Sequence, residues 1–199
     1  MSYAVKEIFK TLQGEGAHAG RPAVFCRFSG CNLACAFCDT DYAGIDGTDG
    51  GRYETAGDLV TVIERVWEGP PARRFVVLTG GEPLLQADAA LVDLLHARGF
   101  EIAVETNGTL EAPEGIDWIC VSPKSRDGLR LRRGNELKLV YPQAGVPPEA
   151  FADFAFERFS LQPMDGPALS DNTARAVAYC LAHPQWQLSL QTHKYLGIR

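Results

Sequence analysis

A short apolar strand followed by a cysteine-rich loop occupies residues 23–38, which read AVFCRFSGCNLACAFC. The run Ala23–Phe28 is apolar or aromatic except at Arg27, as is typical of a buried strand. Three cysteines follow, Cys31, Cys35 and Cys38, with three and then two residues between them. Clustered cysteines in a chain with no sign of secretion are more often metal ligands or redox groups than disulfide partners. The stretch therefore predicts a thiolate-held centre just beyond the end of a strand.

Extended and helical patterns alternate along the rest of the chain. Apolar, β-branched or aromatic runs lie at residues 5–12, 75–78, 101–104, 118–121, 136–141, 158–161 and 187–191. Helical spacing marks 59–67, 91–95 and 174–181, and we expect a cap for the last helix at Ser170 or Asp171. Residues 46–52 (DGTDGGR) predict a mobile loop.

This alternation predicts an α/β fold with a mostly parallel sheet. A complete eightfold barrel needs about 250 residues. The 199 residues of this chain therefore predict one domain, 1–199, built on a partial, open TIM-like barrel.

Polar motifs follow five of the predicted strands. In a parallel sheet the carboxyl ends of the strands share one edge, where ligands bind. The sequence therefore predicts a single cleft formed by the Cys31 loop, Gly80–Pro83, Glu105–Gly108, Ser122–Lys124 and Gln162–Asp165.

Composition limits the class of function. Apolar residues make up 46% of the chain and charged residues 22%, as in ordinary globular proteins. A net charge of −6 offers no basic surplus for nucleic acid, and no apolar run is long enough to cross a membrane. The N-terminus lacks the apolar core of a signal peptide, so we expect a cytoplasmic protein. The basic run 124–133 predicts a solvated loop or, as the functional alternative, a small-anion site.

Three clustered thiolates leave two kinds of metal centre open. A structural zinc site would need a fourth close ligand, which His18 could in principle supply, although such a histidine is more often simply exposed. A 4Fe–4S cluster on three cysteines instead leaves one iron free to bind another molecule. The isolated Cys26, Cys120 and Cys180 have apolar neighbours and predict core positions.

Two motifs resemble a known superfamily. Cys-x3-Cys-x2-Cys after a strand, with Phe37 before the last cysteine, and Thr79-Gly80-Gly81-Glu82-Pro83 resemble the signature of the radical S-adenosylmethionine (SAM) superfamily. Closer resemblance, to the 7-carboxy-7-deazaguanine synthase family, covers nearly the whole chain. It runs through residues 9–16 (FKTLQGEG), 38–40 (CDT), 122–124 (SPK), 161–166 (LQPMDG) and 190–199 (LQTHKYLGIR).

The resemblance implies both a reaction and its cofactors. That family converts 6-carboxy-5,6,7,8-tetrahydropterin to 7-carboxy-7-deazaguanine, with ring contraction and loss of ammonia, on the route to queuosine and other deazapurines. The implied cofactors are a 4Fe–4S cluster, SAM as the source of a 5′-deoxyadenosyl radical, and Mg²⁺. The implied partners are a second copy in a homodimer and an electron donor such as flavodoxin. A closed cleft is expected because such a radical must be shielded from water.

The resemblance also assigns residues to these groups. Cys31, Cys35 and Cys38 would hold the cluster, and Thr40 would bind Mg²⁺ together with the substrate carboxylate. The SAM-binding residues would be Phe37, Cys38, Asp39, Gly81, Glu82, Ser122, Pro123, Lys124, Gln162, Pro163, Met164 and Asp165. The pterin-binding residues would be Leu12, Gln13, Gly14, Arg27, Thr79, His193 and the terminal Arg199, with His193 also a catalytic proton-transfer group.

Elementary chemistry supports these roles and leaves an alternative for each. The Glu82 carboxylate suits the SAM ammonium group, or it is a turn residue. The Thr40 hydroxyl suits Mg²⁺, or it caps a helix. Arg27 needs an anion among its apolar neighbours, either the substrate carboxylate or a structural ion-pair partner. His193 either serves the pterin or is a structural histidine.

Two other classes of function remain open on the sequence. A different radical SAM enzyme, such as a glycyl-radical activase, would act on a protein partner, and a pterin would not alter its SAM cleavage. A non-enzymatic zinc or cluster-binding module would keep its function after Glu82→Ala. The five strand-end motifs argue against the second class.

Overall fold

Nine strands form one sheet in the computed structural model, which describes residues 2–199. The strands are β1 (Tyr3–Leu12), β2 (Pro22–Phe28), β3 (Gly51–Tyr53), β4 (Phe75–Gly80), β5 (Glu101–Thr106), β6 (Trp118–Val121), β7 (Arg133–Tyr141), β8 (Ala155–Pro163) and β9 (Trp186–Leu188). Their order across the sheet is β3-β1-β2-β4-β5-β6-β7-β8-β9. β1 is antiparallel to both neighbours, whereas every pair from β2 to β9 is parallel. The predicted α/β class with an open, mostly parallel sheet is confirmed.

Helices flank the sheet as α1 (Ala56–Trp67), α2 (Ala89–Ala97), α3 (Leu169–Ala182) and α4 (Thr192–Leu196). A capping box fixes the start of α1, because the Thr55 hydroxyl accepts from the Asp58 amide and the Asp58 carboxylate accepts from the Thr55 amide. Within residues 2–199, no helix combines the length and the apolarity that a bilayer crossing requires.

The two faces of the sheet carry different side chains because residues alternate along each strand. Cys26 and Phe28 of β2 belong to the main apolar core, which also contains the buried faces of α1 and α2. Phe25 packs instead with Phe75 and Val77 in a smaller interior cluster. Arg27 follows Phe25 onto this interior side, as alternation predicts, and reaches the cleft there.

The C-terminal segment (189–199) runs from β9 back to β1. Its backbone is tied to the turn after β1, since the Thr192 amide donates to the Gly14 carbonyl at 2.9 Å. Its last residue is tied to the strand itself, since the Thr11 hydroxyl donates to the Arg199 carbonyl at 3.0 Å. The segment therefore bridges the two sides of the open barrel.

Three predictions about elements are corrected. Residues 46–52 are not wholly a loop, because Gly51 and Arg52 pair with β1 at the start of β3. The N-cap of α3 is Ala168, so Ser170 and Asp171 lie inside the helix rather than capping it. Residues 189–191 leave the sheet, and the short helix α4 that follows was not predicted.

Candidate active site

The carboxyl ends of the parallel strands open into one cleft of about 330 Å³. All five predicted strand-end motifs contribute to its wall, which confirms the prediction of a single shared cleft. Two predicted SAM-binding residues, Glu82 and Pro123, are buried behind the wall rather than part of it.

The cysteine loop forms part of this wall. Cys31 and Cys35 are half-buried, Cys38 is exposed, and all three line the cleft. Among residues 2–199, no three Cys, His, Asp or Glu side chains converge closely enough to hold a single metal ion. A structural zinc site needs a fourth ligand close to the three thiolates, whereas a four-iron cluster takes its thiolates at separate corners and leaves one iron open. Three cysteines on one loop therefore suit a cluster.

His18 is excluded as a fourth ligand by its position. Its ring packs against Phe75 and Trp118, with centroids 5.1 and 4.4 Å away, near the first residues of β4 and β6. It is half-buried there, which corrects the expectation of an exposed histidine. The isolated cysteines are buried at Cys26 and Cys120 and half-buried at Cys180, as predicted for core residues.

A lysine and an aromatic ring accompany the cysteines. The Lys124 ammonium donates to the Ser122 hydroxyl at 2.7 Å and lies 5.8 Å from the centroid of the Phe37 ring. Burial raises the pKa of the Cys35 thiol, and the Lys124 charge opposes that rise. Burial also lowers the pKa of Lys124. The solvated-loop prediction for 124–133 is therefore wrong for Lys124, whereas Arg132 at the other end makes an exposed ion pair.

The glycine turn after β4 packs against the start of the cysteine loop. The Glu82 amide donates to the Gly30 carbonyl at 3.0 Å. A Cβ atom on Gly81 would lie 2.5 Å from the carbonyl carbon of Gly30 and closer still to its oxygen. Because that neighbour is backbone and cannot rotate away, only glycine fits at Gly81.

The Glu82 carboxylate is fully buried and does not line the cleft, and its direct contact with the SAM ammonium group stays a prediction. One oxygen accepts from the Leu84 amide at 3.0 Å and the Thr106 hydroxyl at 2.7 Å, and the other accepts from the Asn107 amide at 2.8 Å. Burial raises the pKa of Glu82, and these hydrogen bonds oppose the rise. The side chain is fully buried, and its hydrogen bonds fix the backbone of the turn after β4 and of the end of β5.

A cation from α4 joins two of the loops predicted to contact SAM. The Lys194 ammonium donates to Asp39 at 2.8 Å and to Asp165 at 2.5 Å. The Gln191 amide also donates to Asp39, at 3.0 Å. Asp165 lies on the cleft wall with Gln162, Pro163 and Met164. Sequence reasoning missed Lys194, because a lysine near a chain end is by default solvated.

Arg27 lies in the cleft and is already paired. Its Nε donates to the Glu7 carboxylate at 2.9 Å, and Glu7 also pairs with the Arg199 guanidinium. Both guanidinium groups lie near the Phe9 ring, at 5.9 Å for Arg27 and 4.4 Å for Arg199. The structural ion pair that was the alternative for Arg27 is present, and pterin binding by either arginine stays a prediction.

Most of the other pterin-binding candidates lie near the contact between the turn after β1 and α4, whereas Thr79 lines the cleft from β4. The His193 ring packs on Gly14, where an added Cβ would lie 2.8 Å from the ring Cγ. The buried Gln13 donates to Glu105 at 2.8 Å. Leu12 and Thr79 complete this part of the wall.

Thr40 is half-buried on the cleft wall, and the helix-capping alternative for it is wrong. The next helix begins only at Ala56. The Thr40 carbonyl accepts the Cys38 thiol at 3.8 Å, whereas its hydroxyl has no hydrogen-bond partner within residues 2–199. Mg²⁺ binding by Thr40 stays a prediction.

A buried ion cluster was also missed. Lys138 of β7 donates to Glu15 at 2.6 Å and to Glu105 at 3.2 Å, and all three line the cleft. The signal was present in the alternation of Glu136 and Lys138 with leucines, because polar residues at every second position of a strand share one face.

Comparison with known proteins decides among the functions left open. The model of the Radical SAM superfamily matches residues 26–132, which is more than half of the chain. A 7-carboxy-7-deazaguanine synthase of Bradyrhizobium diazoefficiens is 67% identical over 210 aligned residues, covering 100% of both chains. This chain belongs to the 7-carboxy-7-deazaguanine synthase family of the radical SAM superfamily.

More distant members of the deazaguanine synthase family agree. The 7-carboxy-7-deazaguanine synthase of Escherichia coli is 36% identical over 230 residues and covers 100% of both chains. The crystal structure of QueE from Escherichia coli matches with a TM-score of 0.76 at 32% identity, covering 97% of this chain and 95% of that one. The resemblance inferred from the sequence is confirmed, and membership of the radical SAM superfamily implies a 4Fe–4S cluster and SAM.

Proposed function

We propose that this chain converts 6-carboxy-5,6,7,8-tetrahydropterin to 7-carboxy-7-deazaguanine with loss of ammonia. The observation that carries the proposal is the single cleft, in which three cluster cysteines share one wall with Gln13, Arg27 and His193. Cofactor and substrate can then meet in one enclosed space, as radical chemistry requires.

Cys31, Cys35 and Cys38 hold the cluster in this proposal. When bound, the cluster and SAM supply a one-electron cleavage that generates a hydrogen-abstracting carbon radical. The protein's part is to hold SAM, orient the pterin and exclude water. Gly81 permits the close approach of the glycine turn to the cysteine loop, and the buried Glu82 fixes that turn.

The remaining SAM contacts follow from the chemistry of the wall. Phe37, Ser122 and the half-buried Lys124 offer a ring, a hydroxyl and a cation beside the cysteines, and the cation suits the SAM carboxylate. The strand end Gln162–Asp165 offers backbone groups and the soft Met164 side chain to the adenine. Pro123, buried behind the wall, acts by shaping the loop between Ser122 and Lys124.

Recognition of the pterin rests on the other part of the wall. Arg27 has a guanidinium fork with only its Nε given to Glu7, so its remaining N–H groups suit the substrate carboxylate. Gln13 and Thr79 offer hydrogen bonds to the ring, and Leu12 and Gly14 shape its seat. His193 hydrogen-bonds the pterin and moves protons, and Arg199 closes the site from the C-terminal segment.

Mg²⁺ binding at Thr40 is part of the same proposal. Mg²⁺ prefers oxygen ligands and keeps several waters, so one protein hydroxyl and the substrate carboxylate suffice to seat it. The support is the Thr40 hydroxyl on the cleft wall, which has no hydrogen-bond partner among the described residues.

We also propose a homodimer and an external electron donor such as flavodoxin. The edge of the sheet at β9 and α3 exposes Val177, Leu181 and Leu188, with 80% of Leu181 accessible. An apolar edge of this kind suits a second copy of the chain. Electron delivery is favoured at Cys38, because it is the exposed cysteine of the three.

The test is anaerobic turnover by reconstituted protein with the carboxytetrahydropterin, SAM, Mg²⁺ and dithionite. We expect deazapurine product, and its loss together with iron loss in Cys35→Ser. The matched control is Cys180→Ser, which changes a half-buried cysteine outside the cleft and keeps both iron and turnover. A wild-type protein with a full cluster and no deazapurine product would contradict the proposal.

A further inference from the structure

The ion cluster of Glu15, Glu105 and Lys138 has an uneven exposure to the cleft. The Lys138 side chain is 4% exposed, whereas those of Glu15 and Glu105 are 15% and 22% exposed. Lys138 is therefore the least accessible of the three residues, although all three line the cleft. A bound molecule would meet mainly the two carboxylates.

The hydrogen bonds of the cluster leave acceptor capacity on the cleft side. Glu15 accepts from Lys138 at 2.6 Å and from Gln191 at 2.9 Å. Glu105 accepts from Lys138 at 3.2 Å and from Gln13 at 2.8 Å. An ionised carboxylate has about four acceptor positions. Each carboxylate can therefore accept further hydrogen bonds from a ligand in the cleft.

Electrostatics sets the protonation of this cluster. Burial alone would raise the pKa of Glu15, but the Lys138 charge and the hydrogen bonds outweigh it and hold that pKa well below its usual range. Burial alone would lower the pKa of Lys138, but Glu105 and Glu15 hold it well above its usual range. In formal charges the cluster is one cation between two anions, with a net charge of −1, and Lys138 does not serve as a proton donor.

We propose that Lys138 is a positioning residue for the pterin, holding the Glu15 and Glu105 carboxylates side by side so that both accept hydrogen bonds from substrate N–H groups. The inference rests on the proposed function and deepens it. Without the ammonium, two adjacent buried carboxylates would repel each other, and one would take up a proton or turn away. Either change removes an acceptor from the cleft wall.

Other charged or titratable groups surround the Lys138 ammonium. None of them is changed in the Lys138 variants described below, and Glu136 is changed only in the control variant. Cys120 of β6 and Glu136 of β7 line a small internal cavity next to Lys138, together with His18. The charge of Lys124 interacts with that of Lys138, and the charge of Asp39 interacts with that of Glu15. Changes in pH dependence therefore report the cluster itself.

The experiment measures equilibrium binding of the pterin by calorimetry, with SAM present and no reductant, across a pH series. Lys138→Met removes the charge and keeps the length of the side chain, so we expect a roughly 30-fold weaker affinity at pH 7, on the scale of one lost hydrogen bond to a charged group. We also expect the pH below which binding is lost to rise, because Glu15 then protonates more readily. Lys138→Arg keeps the charge and should preserve that pH and most of the affinity.

The matched control is Glu136→Gln, on the same strand and two residues away. Glu136 accepts hydrogen bonds from the Ala17 amide and the Ser160 hydroxyl, and it makes no hydrogen bond with Lys138. Its substitution lowers the thermal midpoint without moving the pH dependence of binding. A merely structural role for Lys138 would give the same pattern as this control.

If Lys138→Met binds the pterin with the affinity and pH dependence of wild type, the inference about Lys138 is wrong and the proposed function still stands. If the wild-type protein binds no pterin, both the inference and the proposed function are wrong. Where Lys138→Met does not fold, Lys138→Met/Glu105→Gln takes its place, because it restores the net charge of −1. As the pH falls, that double variant should still lose pterin binding at a higher pH than wild type. If the double variant loses binding at the same pH as wild type, the inference is overturned as well.

Discussion

Gly14→Ala tests the contact between the turn after β1 and the helix that carries His193. A Cβ atom at this position would lie 2.8 Å from Cγ and 2.9 Å from Cβ of His193, and closer still to Nδ1. Carbon atoms in contact sit about 3.5–4.0 Å apart, so the imidazole must move by roughly 1 Å or more. Nothing in the backbone conformation of Gly14 itself resists alanine, so a loss of stability would come from this contact.

The surrounding structure prevents an easy escape. The Gly14 carbonyl accepts from both the amide and the hydroxyl of Thr192, at 2.9 and 2.8 Å, so the turn and the start of α4 are locked together beside the imidazole. The ring must therefore leave its rotamer or α4 must shift. Overpacking of this kind costs about 1–3 kcal/mol in stability. A displacement of about 1 Å in a catalytic group costs roughly 100-fold in rate.

The assay compares kcat/KM for deazapurine formation with the thermal midpoint. We expect a loss of roughly 100-fold in kcat/KM and a lower midpoint for Gly14→Ala. The control is Gly14→Ala/His193→Ala, in which the clash is gone, so the midpoint should recover while activity stays at the level of His193→Ala. Normal turnover by Gly14→Ala, or a double variant no more stable than the single one, would show that the reasoning about this contact is wrong.

Two further predictions test other parts of the cleft, and a third tests an ion pair outside it. Gly81→Ala is expected to abolish cluster incorporation, measured as bound iron, because the added Cβ would clash with the fixed backbone of Gly30. The control is Gly57→Ala in α1, where the added Cβ meets nothing closer than 3.5 Å, and it should keep its full iron content. Lys194→Ala removes a partly exposed cation shared by two carboxylates, so SAM affinity by calorimetry should fall several-fold while stability changes by less than about 1 kcal/mol. The hydrogen bond and the charge of Arg21 lower the pKa of Glu101 in the folded protein. This ion pair therefore stabilises the protein at pH values above the unfolded carboxyl pKa of about 4.3. The stabilisation is lost as the pH falls through the pKa of Glu101 in the folded protein. Glu101→Gln should therefore have a lower free energy of unfolding than wild type at pH 7, and the difference should stay below about 1 kcal/mol because the pair is partly exposed. Measured in a series of decreasing pH, this difference should disappear.

The cleft could be predicted from the sequence because its geometry follows from the topology. Once the strands are parallel, the residue after each strand must lie at one edge of the sheet, whatever the details of the loops. Cys31, Gly80, Ser122 and Gln162 met there for that reason. The rule needs only the ends of the strands, which apolar runs mark well.

Side-chain direction could not be predicted in the same way. Glu82 follows its strand as expected, yet its carboxylate turns inward because three donors converge on it from the next turn and from the end of β5. Those donors belong to residues up to 25 positions away, and no local pattern announces them. The missing strand β3 and helix α4 have three and five residues, too short for periodicity to reveal.

The C-terminal segment matters because it carries contacts to both sides of the cleft. Lys194 ties it to Asp39 and Asp165 on the cofactor side, while His193 of the adjacent position packs on Gly14 on the pterin side. A shift of α4 that loosens one of these contacts must therefore disturb the other, since a helix of five residues moves as a unit. For this reason we expect Lys194→Ala to weaken pterin affinity as well as SAM affinity, and a change in SAM affinity alone would show that the two sides are independent.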